Sequence, residues 1–388
     1  MQLMETTGIR EAFHRVRKHS EYICEPLETE DYVPQPVAFV SPPKWHLAHS
    51  TWFFETFILK PNVPGYRVYD PDFNYLFNSY YNNVGERTLR TDRGNVTRPT
   101  TKAVYAYRQY VDGQMDTFLE ELADPGILAL VELGLHHEQQ HQELLVTDIK
   151  YILGHNPLFP VYREGQNMVS GQNTETGFLA IPEGVYDIGH QGSGFCFDNE
   201  LGRHKVYLHG FEIDKGLVTN GAYIEFMQAG GYQDFNLWLD EGWAWVNAHQ
   251  VSSPMYWHLI EGEWHYFTLN GLQKVDPDAI LSHISFFEAA AFAQWKGMRL
   301  PTEFEWEIAA ANLDWGQRWE WTNSAYLPYP GFSKAPGAVG EYNGKFMVNQ
   351  MVLRGASVAT SPGHARKTYR NFFHTHERWQ YTGIRLAR

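Results

Sequence analysis

The sequence predicts a two-domain protein, with an N-terminal all-α four-helix bundle followed by an irregular α+β domain. Long segments with helical periodicity fill the chain as far as Gly154. The composition then turns polar over residues 154–176, and short β-type runs rich in Gly, Trp and Tyr follow. A chain of 388 residues is also longer than one typical hydrophobic core. We therefore expect a bundle at 1–155, a linker at 156–178 and a second domain at 179–388.

The helices of the first domain are predicted from apolar residues at period 3.6 and from their ends. They cover residues 5–24, 45–59, 100–121 and 127–153. The connection between 62 and 100 is long, and loops of that length in a compact domain are usually functional. In the second domain we expect β-structure at 184–189, 204–213 and 380–386, and helices at 220–228 and 285–296.

Charge and cysteine content restrict the class of partner. The formal net charge is −14, which argues against a nucleic-acid surface or an anionic lipid surface, since both need basic residues. The two cysteines, Cys24 and Cys196, lie far apart, so no disulfide framework is predicted. No run approaches the roughly 20 apolar residues of a membrane span, and no apolar signal segment is found at the N-terminus. We expect a cytoplasmic protein that acts on small molecules.

A histidine-rich run in the last bundle helix predicts a metal site. His137 and His141 are one helical turn apart, so both imidazoles lie on one face and can bind the same ion. A second pair, His46 and His49, lies in the second helix, and one of its members can supply a third ligand from a facing helix. Imidazole suits Zn, Cu, Fe or Ni. Three neutral ligands leave coordination positions free, which suits a redox metal with two substrates and O2.

The same run supports a rival reading. His137-Glu138-Gln139-Gln140-His141 matches H-E-x-x-H, the zinc-protease helix in which Glu138 would act as general base. No metzincin extension follows, but the motif alone does not decide between a zinc hydrolase and a redox enzyme.

Longer motifs resemble a known family, the sulfoxide synthases of ergothioneine biosynthesis (the EgtB family). They are residues 41–55 (SPPKWHLAHSTWFFE), 76–85 (LFNSYYNNVG) and 135–145 (LHHEQQHQELL). The resemblance implies a DinB-like iron-binding bundle and a C-terminal domain like the formylglycine-generating enzyme (sulfatase-modifying factor), related to C-type lectins. Residues 197–200, 218–220, 230–232 and 299–307 resemble that second domain. Its copper-binding cysteine pair is missing, since only Cys196 is present there.

The resemblance also implies a reaction and a ligand set. The family joins the imidazole of hercynine, the trimethylbetaine of histidine, to a cysteine-type thiol with O2, and forms a sulfoxide. Carried over by motif, the Fe(2+) ligands are His49, His137 and His141. His46 and His136 are then supporting or structural, and Glu138 is a helix-face partner that orients a ligand imidazole.

Other roles follow from the resemblance residue by residue. Gln140 would contact hercynine, and Tyr80 or Tyr81 would donate a proton or hydrogen atom near the iron. Arg90, which we favour over Arg87 and Arg93, would bind a substrate carboxylate.

The C-terminal motif is the last part of the resemblance. Asn371 would contact the betaine end of hercynine, and Phe372 would pack on the trimethylammonium group. Phe373 replaces the aspartate that helps mycobacterial-type enzymes bind γ-glutamylcysteine, so cysteine is the preferred donor and the glutamyl thiol stays open.

Three alternatives remain at this point. The first is a related imidazole coupling enzyme of the ovothiol or selenoneine type, which acts on histidine or uses selenium. The second is the zinc hydrolase. The third is a non-catalytic binding module in which the histidines are structural. The sequence does not predict the oligomeric state.

Overall fold

The computed structural model describes residues 6–79, 85–165, 171–334, 340 and 343–388. Its first part is helical. α1 covers Thr6–Cys24, α2 Pro43–Phe54, α3 Lys60–Asn62, α4 Phe73–Phe77, α5 Thr101–Glu121 and α6 Pro125–Gly154. A π-helical turn, Glu55–Leu59, joins α2 to α3. The four helices predicted from periodicity are confirmed to within a few residues at each end.

Local capping explains where two of the bundle helices begin. The Thr100 side chain accepts a hydrogen bond from the N–H of Ala103 and caps α5. The Asp124 carboxylate accepts from the N–H groups of Gly126 and Ile127, and Pro125 occupies the first position of α6. Both caps favour the start of a helix, because they accept hydrogen bonds from N–H groups that have no partner within the helix itself.

Close packing of α6 on α2 sets the geometry of the bundle interior. Gly134 of α6 faces the rings of Phe53 and Phe54, and a Cβ at this position would lie 2.8 Å from a ring carbon of each. A larger residue would push the helices apart, so this glycine determines how near the histidines of α6 come to those of α2.

The second part is a set of small sheets with helices between them. The strands are β1 Phe178–Ile181, β2 Gly184–Ile188, β3 His204–Leu208, β4 Phe211–Asp214, β5 Trp257–Ile260, β6 Glu263–Thr268, β7 Gly271–Lys274, β8 Trp319–Ala325, β9 Met351–Gly355, β10 Asn371–Phe373 and β11 Thr382–Gly383. β1 pairs with β4 and β2 with β3, β5–β6–β7 form a meander, and the largest sheet has the order β10-β9-β8-β11. The strand expected at 380–386 is only partly correct, because β11 pairs with β8 at two positions.

Helices in this part are short and begin at polar caps. They are α7 Asn220–Gln228, α8 Asp240–His249, α9 Phe286–Trp295 and α10 Glu303–Ala309. The prediction of α7 and α9 is confirmed. Ser285 and Thr302 form capping boxes with Glu288 and Glu305 at the starts of α9 and α10. α8 and α10, of ten and seven residues, were not predicted.

The hydrophobic core of the bundle continues into the second part along α6. Tyr256, Phe267, Trp379 and Tyr381 of the second part are buried in the same cluster as the bundle residues. The predicted fold class, a helical bundle followed by an irregular α+β domain, is confirmed. The boundaries proposed for the linker stay a prediction. Among the described helices, none has the length and apolar character needed to cross a bilayer.

Candidate metal centre

Three imidazoles from two helices converge in the bundle. His49 lies on α2, and His137 and His141 lie one turn apart on α6. The ring centroids are 5.0 Å apart for His49 and His137, 4.6 Å for His49 and His141, and 4.7 Å for His137 and His141. One nitrogen from each ring lies within 4.8 Å of the other two. The structure therefore brings together the three residues that the sequence proposed as ligands.

Hydrogen bonding determines which nitrogen of His49 is available. Its Nδ1 lies 2.6 Å from the backbone carbonyl oxygen of Phe77, so Nδ1 carries the hydrogen and donates it. In a neutral ring this leaves the lone pair on Nε2, the atom that can bind a metal. The ring is also stacked on Trp45, with centroids 4.5 Å apart, which restricts its rotation.

A chain of buried side chains orients His141 in the same way. Asp148 Oδ2 accepts a hydrogen bond from His46 Nε2 over 3.0 Å. His46 Nδ1 is then the acceptor for the Nδ1–H of His141, 2.9 Å away. This leaves the lone pair of His141 on Nε2. The role of His46 as a supporting residue follows from this contact.

Burial keeps the three imidazoles neutral. Desolvation lowers the pKa of His137 to about 4. Desolvation, followed by repulsion from neighbouring imidazoles, lowers the pKa of His49 and His141 well below the usual range. Neutral imidazole is the form that coordinates a metal, so the group is ready for a cation at neutral pH without losing protons first.

The donor set fits a borderline transition metal with open positions. The converging group found among the described residues consists of three histidines and contains no carboxylate or thiolate. Three neutral nitrogen donors suit Fe, Zn, Cu or Ni and leave room for exogenous ligands. Iron(II) is compatible with this set, and the geometry alone does not single it out.

The carboxylate of Glu138 is held by residues of α1 and α5. It is 1% exposed, accepts hydrogen bonds from Arg17 and Arg108 at 2.8 and 2.6 Å, and accepts a third from Ser20 at 2.6 Å. Burial alone raises the pKa of this carboxyl, but the charges of Arg108 and Arg17 overcome that and hold the pKa at about 2. Its described partners lie on the side of α1 and α5. These contacts engage both carboxylate oxygens, which disfavours a general-base role. The charge of Glu138 still acts on His137, and the expectation that Glu138 orients a ligand imidazole stays a prediction.

His136 points to the second part of the chain. Its Nδ1 lies 3.0 Å from Nδ1 of His364, and its ring stacks on Phe195 with centroids 3.8 Å apart. The expectation of a structural role agrees with these contacts.

A cavity of about 250 Å³ opens beside the imidazoles and is lined by both parts of the chain. All three histidines line it. So do the five residues that the sequence proposed for substrate binding: Arg90, Gln140, Asn371, Phe372 and Phe373. Residues up to 282 positions apart in the chain, from Arg90 to Phe372, thus line one cavity.

The amide of Gln140 is held at the cavity wall. Its Nε2 donates to the hydroxyl of Tyr369 over 2.5 Å, while Oε1 is buried with no hydrogen-bond partner among the described residues. The phenol of Tyr369 also lies 3.4 Å from Nε2 of His364. The amide therefore offers an unused acceptor at a cavity where a ligand can supply an N–H group.

Aromatic rings cover the side of the cavity formed by β10. Phe372 stacks on Tyr326 with centroids 4.1 Å apart and on Phe346 at 5.8 Å. Phe373 packs edge-on against Trp379, 5.4 Å away. The Asn371 side-chain oxygen accepts the N–H of Phe372, so this residue shapes the strand as well as lining the space.

Two arginines differ in how they approach the cavity. Arg90 is exposed and donates to the carbonyl oxygen of Phe39 over 2.5 Å. Arg93 is 4% exposed, donates to Ser41 and Ser79 at 2.8 and 2.9 Å, and lies 3.3 Å from the ring centroid of Trp45. Both line the cavity. The sequence favoured Arg90 for carboxylate binding, whereas Arg93 is the buried one of the two.

Tyr80 and Tyr81, the proposed proton or hydrogen donors, lie outside the described residues. Ser79, which immediately precedes them, lines the cavity. Two contributors were missed altogether, Tyr369 and the ligand-orienting role of Asp148. Asp148 follows His141 by seven residues, a spacing that puts both on one helix face and offers a signal for it. No local pattern singles out Tyr369.

Comparison with known proteins shows which families and which proteins the chain is similar to. Residues 12–145 match the DinB superfamily, and residues 164–318 match the family described as sulfatase-modifying factor enzyme 1-like domain. The chain is 28% identical to the hercynine oxygenase of Mycolicibacterium smegmatis, over 90% of this chain and 91% of that one. It is 25% identical to the hercynine oxygenase of Mycobacterium tuberculosis over the same shares. The formylglycine-generating enzyme of Thermomonospora curvata is 34% identical, but over 40% of this chain and 55% of that one.

Proposed function

Because this chain is a two-domain relative of the hercynine oxygenases, with a DinB-like bundle and a sulfatase-modifying-factor-like domain, we propose that it is an iron(II)- and O2-dependent sulfoxide synthase. It joins the imidazole of hercynine to the sulfur of cysteine in ergothioneine biosynthesis. The observation that carries the proposal is the convergence of His49, His137 and His141 at a cavity lined by both domains. The cytoplasmic location expected from the sequence stays a prediction.

The overall change balances with one molecule of O2. A carbon–sulfur bond replaces the C–H bond of the ring and the S–H bond of the thiol. One oxygen atom enters the sulfoxide, and the other leaves as water with the two hydrogen atoms. His49, His137 and His141 would hold the metal, and bound iron(II) would supply the redox chemistry with O2.

Gln140 and the aromatic wall suit hercynine. The free Oε1 of Gln140 can accept the N–H of an imidazole ring and so orient it. The rings of Phe372 and Phe346 both line the cavity and offer an aromatic surface for the trimethylammonium group, which cannot donate a hydrogen bond and is attracted by a ring quadrupole. Asn371 lies beside Phe372 and can contact the betaine end. Together these residues restrict the imidazole to one pose, which contributes through orientation.

The thiol donor is assigned from charge and from Phe373. Arg90 and Arg93 line the cavity and offer guanidinium groups to a carboxylate. Phe373 provides no charge for a second amino-acid group, which favours cysteine over γ-glutamylcysteine. Tyr80 and Tyr81 are retained as proposed proton or hydrogen donors, since they follow the cavity residue Ser79 in the chain.

The experiment is reconstitution with iron(II) under anaerobic conditions, followed by hercynine, cysteine and O2, with mass spectrometry of the product. We expect the sulfoxide conjugate only when O2 and iron are both present, and loss of iron and product in His49→Ala. His136→Ala is the matched control, since that ring stacks on Phe195 outside the metal group.

Parallel reactions distinguish the alternatives. γ-Glutamylcysteine in place of cysteine tests the donor, and histidine in place of hercynine tests an ovothiol-type enzyme. A selenium donor tests the selenoneine type. Absence of any O2-dependent conjugate, together with hydrolytic activity of the zinc-loaded protein, would overturn the proposal.

A further inference from the structure

One residue of the cavity beside the imidazoles has a buried amide that forms no hydrogen bond. Gln380 is 3% exposed and lines the same cavity of about 250 Å³ as the three histidines. Its Nε2 and Oε1 atoms both lack a hydrogen-bond partner among the residues that the structure describes. Gln140 differs, since its Nε2 already donates to Tyr369. A buried amide without partners is costly, so we expect a group that enters the cavity to pair with Gln380.

The neighbour of Gln380 in the chain, Trp379, connects it to the buried arginine of the cavity. The Trp379 indole donates to Asp148 over 3.2 Å, and the same carboxylate accepts the N–H of Ser41. The hydroxyl of Ser41 accepts a hydrogen bond from Arg93. Two residues thus separate Trp379 from a guanidinium group offered to the carboxylate of the thiol substrate.

Trp379 also contacts the other residues that bear on the thiol donor. Arg90 donates to the carbonyl oxygen of Phe39, and the Phe39 ring packs on Trp379 with centroids 4.5 Å apart. Phe373, which favours cysteine over the glutamyl thiol, packs edge-on against the same indole. These contacts group Gln380 with the residues assigned to the thiol donor.

The chemistry of the free amide distinguishes the two substrates. Nε2 can donate and Oε1 can accept. The carboxylate of hercynine can accept from Nε2, but its trimethylammonium group has no N–H and would leave Oε1 unpaired. Cysteine has a carboxylate and an ammonium group on one carbon atom, so its head group can pair with both atoms. We propose that Gln380 binds the α-amino-acid head group of the thiol donor, with Nε2 donating to the carboxylate and Oε1 accepting from the ammonium group.

This inference rests on the proposed function, because it assigns a specificity residue to the same cavity. Glu377 is the rival acceptor for the ammonium group, since it lines the cavity as well. One of its carboxylate oxygens already accepts the N–H of His374 over 3.1 Å, whereas both atoms of the Gln380 amide are unused. The experiment therefore includes a variant of each residue.

The test measures binding of the donor without turnover. The iron-loaded full chain is saturated with hercynine under anaerobic conditions and titrated calorimetrically with cysteine, with 3-mercaptopropionate, which lacks the ammonium group, or with cysteamine, which lacks the carboxylate. For Gln380→Met we expect Kd of cysteine to rise about 10- to 50-fold, because two hydrogen bonds to charged groups are lost. Each analogue loses only one such bond, so its Kd should rise about 3- to 10-fold.

Two further variants sharpen the result. Gln380→Glu keeps an acceptor but replaces the donor with a negative charge, so it should bind cysteine and 3-mercaptopropionate more weakly and cysteamine at least as well as the wild type. Gln273→Met is the matched control, since Gln273 is exposed on β7, and it should leave every Kd unchanged. In all variants we expect Kd of hercynine to stay the same.

Thermal unfolding without substrates tests for a structural role. Because the Gln380 amide has no partner within the fold, Gln380→Met should unfold at the same or a higher temperature. A lower midpoint with equal weakening of all three donors would show a structural role and overturn the inference.

Three other outcomes would overturn it as well. An unchanged Kd of cysteine in Gln380→Met would mean that the amide holds water only. A rise in Kd of hercynine instead of cysteine would assign Gln380 to the other substrate. Loss of the preference for cysteine over 3-mercaptopropionate in Glu377→Gln, but not in Gln380→Met, would assign the ammonium group to Glu377. Conjugate formation tests the proposed function separately: a wild type that binds cysteine through Gln380 but forms no sulfoxide with O2 would support this inference and contradict that function.

Discussion

The Nδ1 atom of His46 lies 2.9 Å from the Nδ1 atom of His141, deep in the bundle. Since His46 donates from its other nitrogen to Asp148, its Nδ1 must accept, and His141 is left with a free Nε2. A neutral acceptor is thus sufficient to fix the tautomer of a proposed ligand. The contact also joins α2 to α6 directly through side chains, without a metal ion.

Replacing His46 should weaken metal binding while the fold persists. In His46→Phe the hydrogen bond to His141 is lost, and we expect iron(II) affinity to fall about 10- to 100-fold. Asp148 keeps its bonds with the N–H of Ser41 and the indole of Trp379, which limits the structural damage. Competition with a chelator measures the affinity. His136→Phe is the control, and equal affinities in both variants would contradict the role given to His46.

The spacing between α2 and α6 should depend on Gly134. Gly134→Ala would place a methyl group 2.8 Å from the rings of Phe53 and Phe54. We expect a loss of about 1–3 kcal/mol in the free energy of unfolding and weaker iron binding, because His137 and His141 move away from His49. Denaturant unfolding and metal titration measure the two effects.

Gly113→Ala is the matched control for this substitution. Gly113 lies in α5, where an added Cβ meets nothing within 4 Å, so we expect a gain of up to about 1 kcal/mol from helix propensity. A destabilisation as large as that of Gly134→Ala would argue against the packing explanation.

Acid should destabilise the metal-free protein through Glu138. Because the pKa of this carboxyl falls from 4.5 in the unfolded chain to about 2 in the folded one, its stabilising contribution is complete above pH 4.5 and is lost between pH 4.5 and 2. The difference corresponds to about 3 kcal/mol. We expect Glu138→Gln to unfold more easily at pH 7 and to lose this part of the pH dependence.

The same variant separates the two readings of the H-E-x-x-H motif. If Glu138 were the general base of a zinc hydrolase, Glu138→Gln would keep its stability and lose hydrolysis. The ion pairs of Glu138 with Arg17 and Arg108 instead predict that Glu138→Gln lowers the free energy of unfolding. Circular dichroism across the pH range measures the outcome.

Tyr369 should act on substrate binding through Gln140. Tyr369→Phe removes the hydroxyl that holds the Gln140 amide, so the amide can rotate and its acceptor no longer faces the ligand reliably. We expect KM for the imidazole substrate to rise about 3- to 10-fold with a smaller change in kcat. Tyr207→Phe is the control, since Tyr207 is exposed. An unchanged KM in Tyr369→Phe would show that the amide is held by other contacts.

The pairing of His137 with His141 was predictable because an interval of four residues on a helix is a local property. The same reasoning located α1, α2, α5 and α6, whose length gives a clear period. It did not locate α8 or α10, and it left open which of His46 and His49 supplies the third imidazole.

Tertiary packing decided what each histidine faces. His136 and His137 are neighbours in sequence, yet His136 stacks on Phe195 and His137 packs at a tilt against Phe53. Successive residues of a helix point about 100° apart, so the direction of the bundle core determines which of them reaches the centre.

The sequence by itself determined the bundle helices, the spacing of the histidines on α6 and the residue types available for a metal and a cationic substrate. The tertiary structure alone decided that Glu138 pairs with arginines and that His46 lies between Asp148 and His141. It also decided that Phe372 lines the same cavity as residues of α2 and α6. The reason is the separation along the chain over which each effect acts. Helix periodicity acts over a few residues, whereas these contacts join residues tens to hundreds of positions apart, and their geometry depends on how whole elements pack.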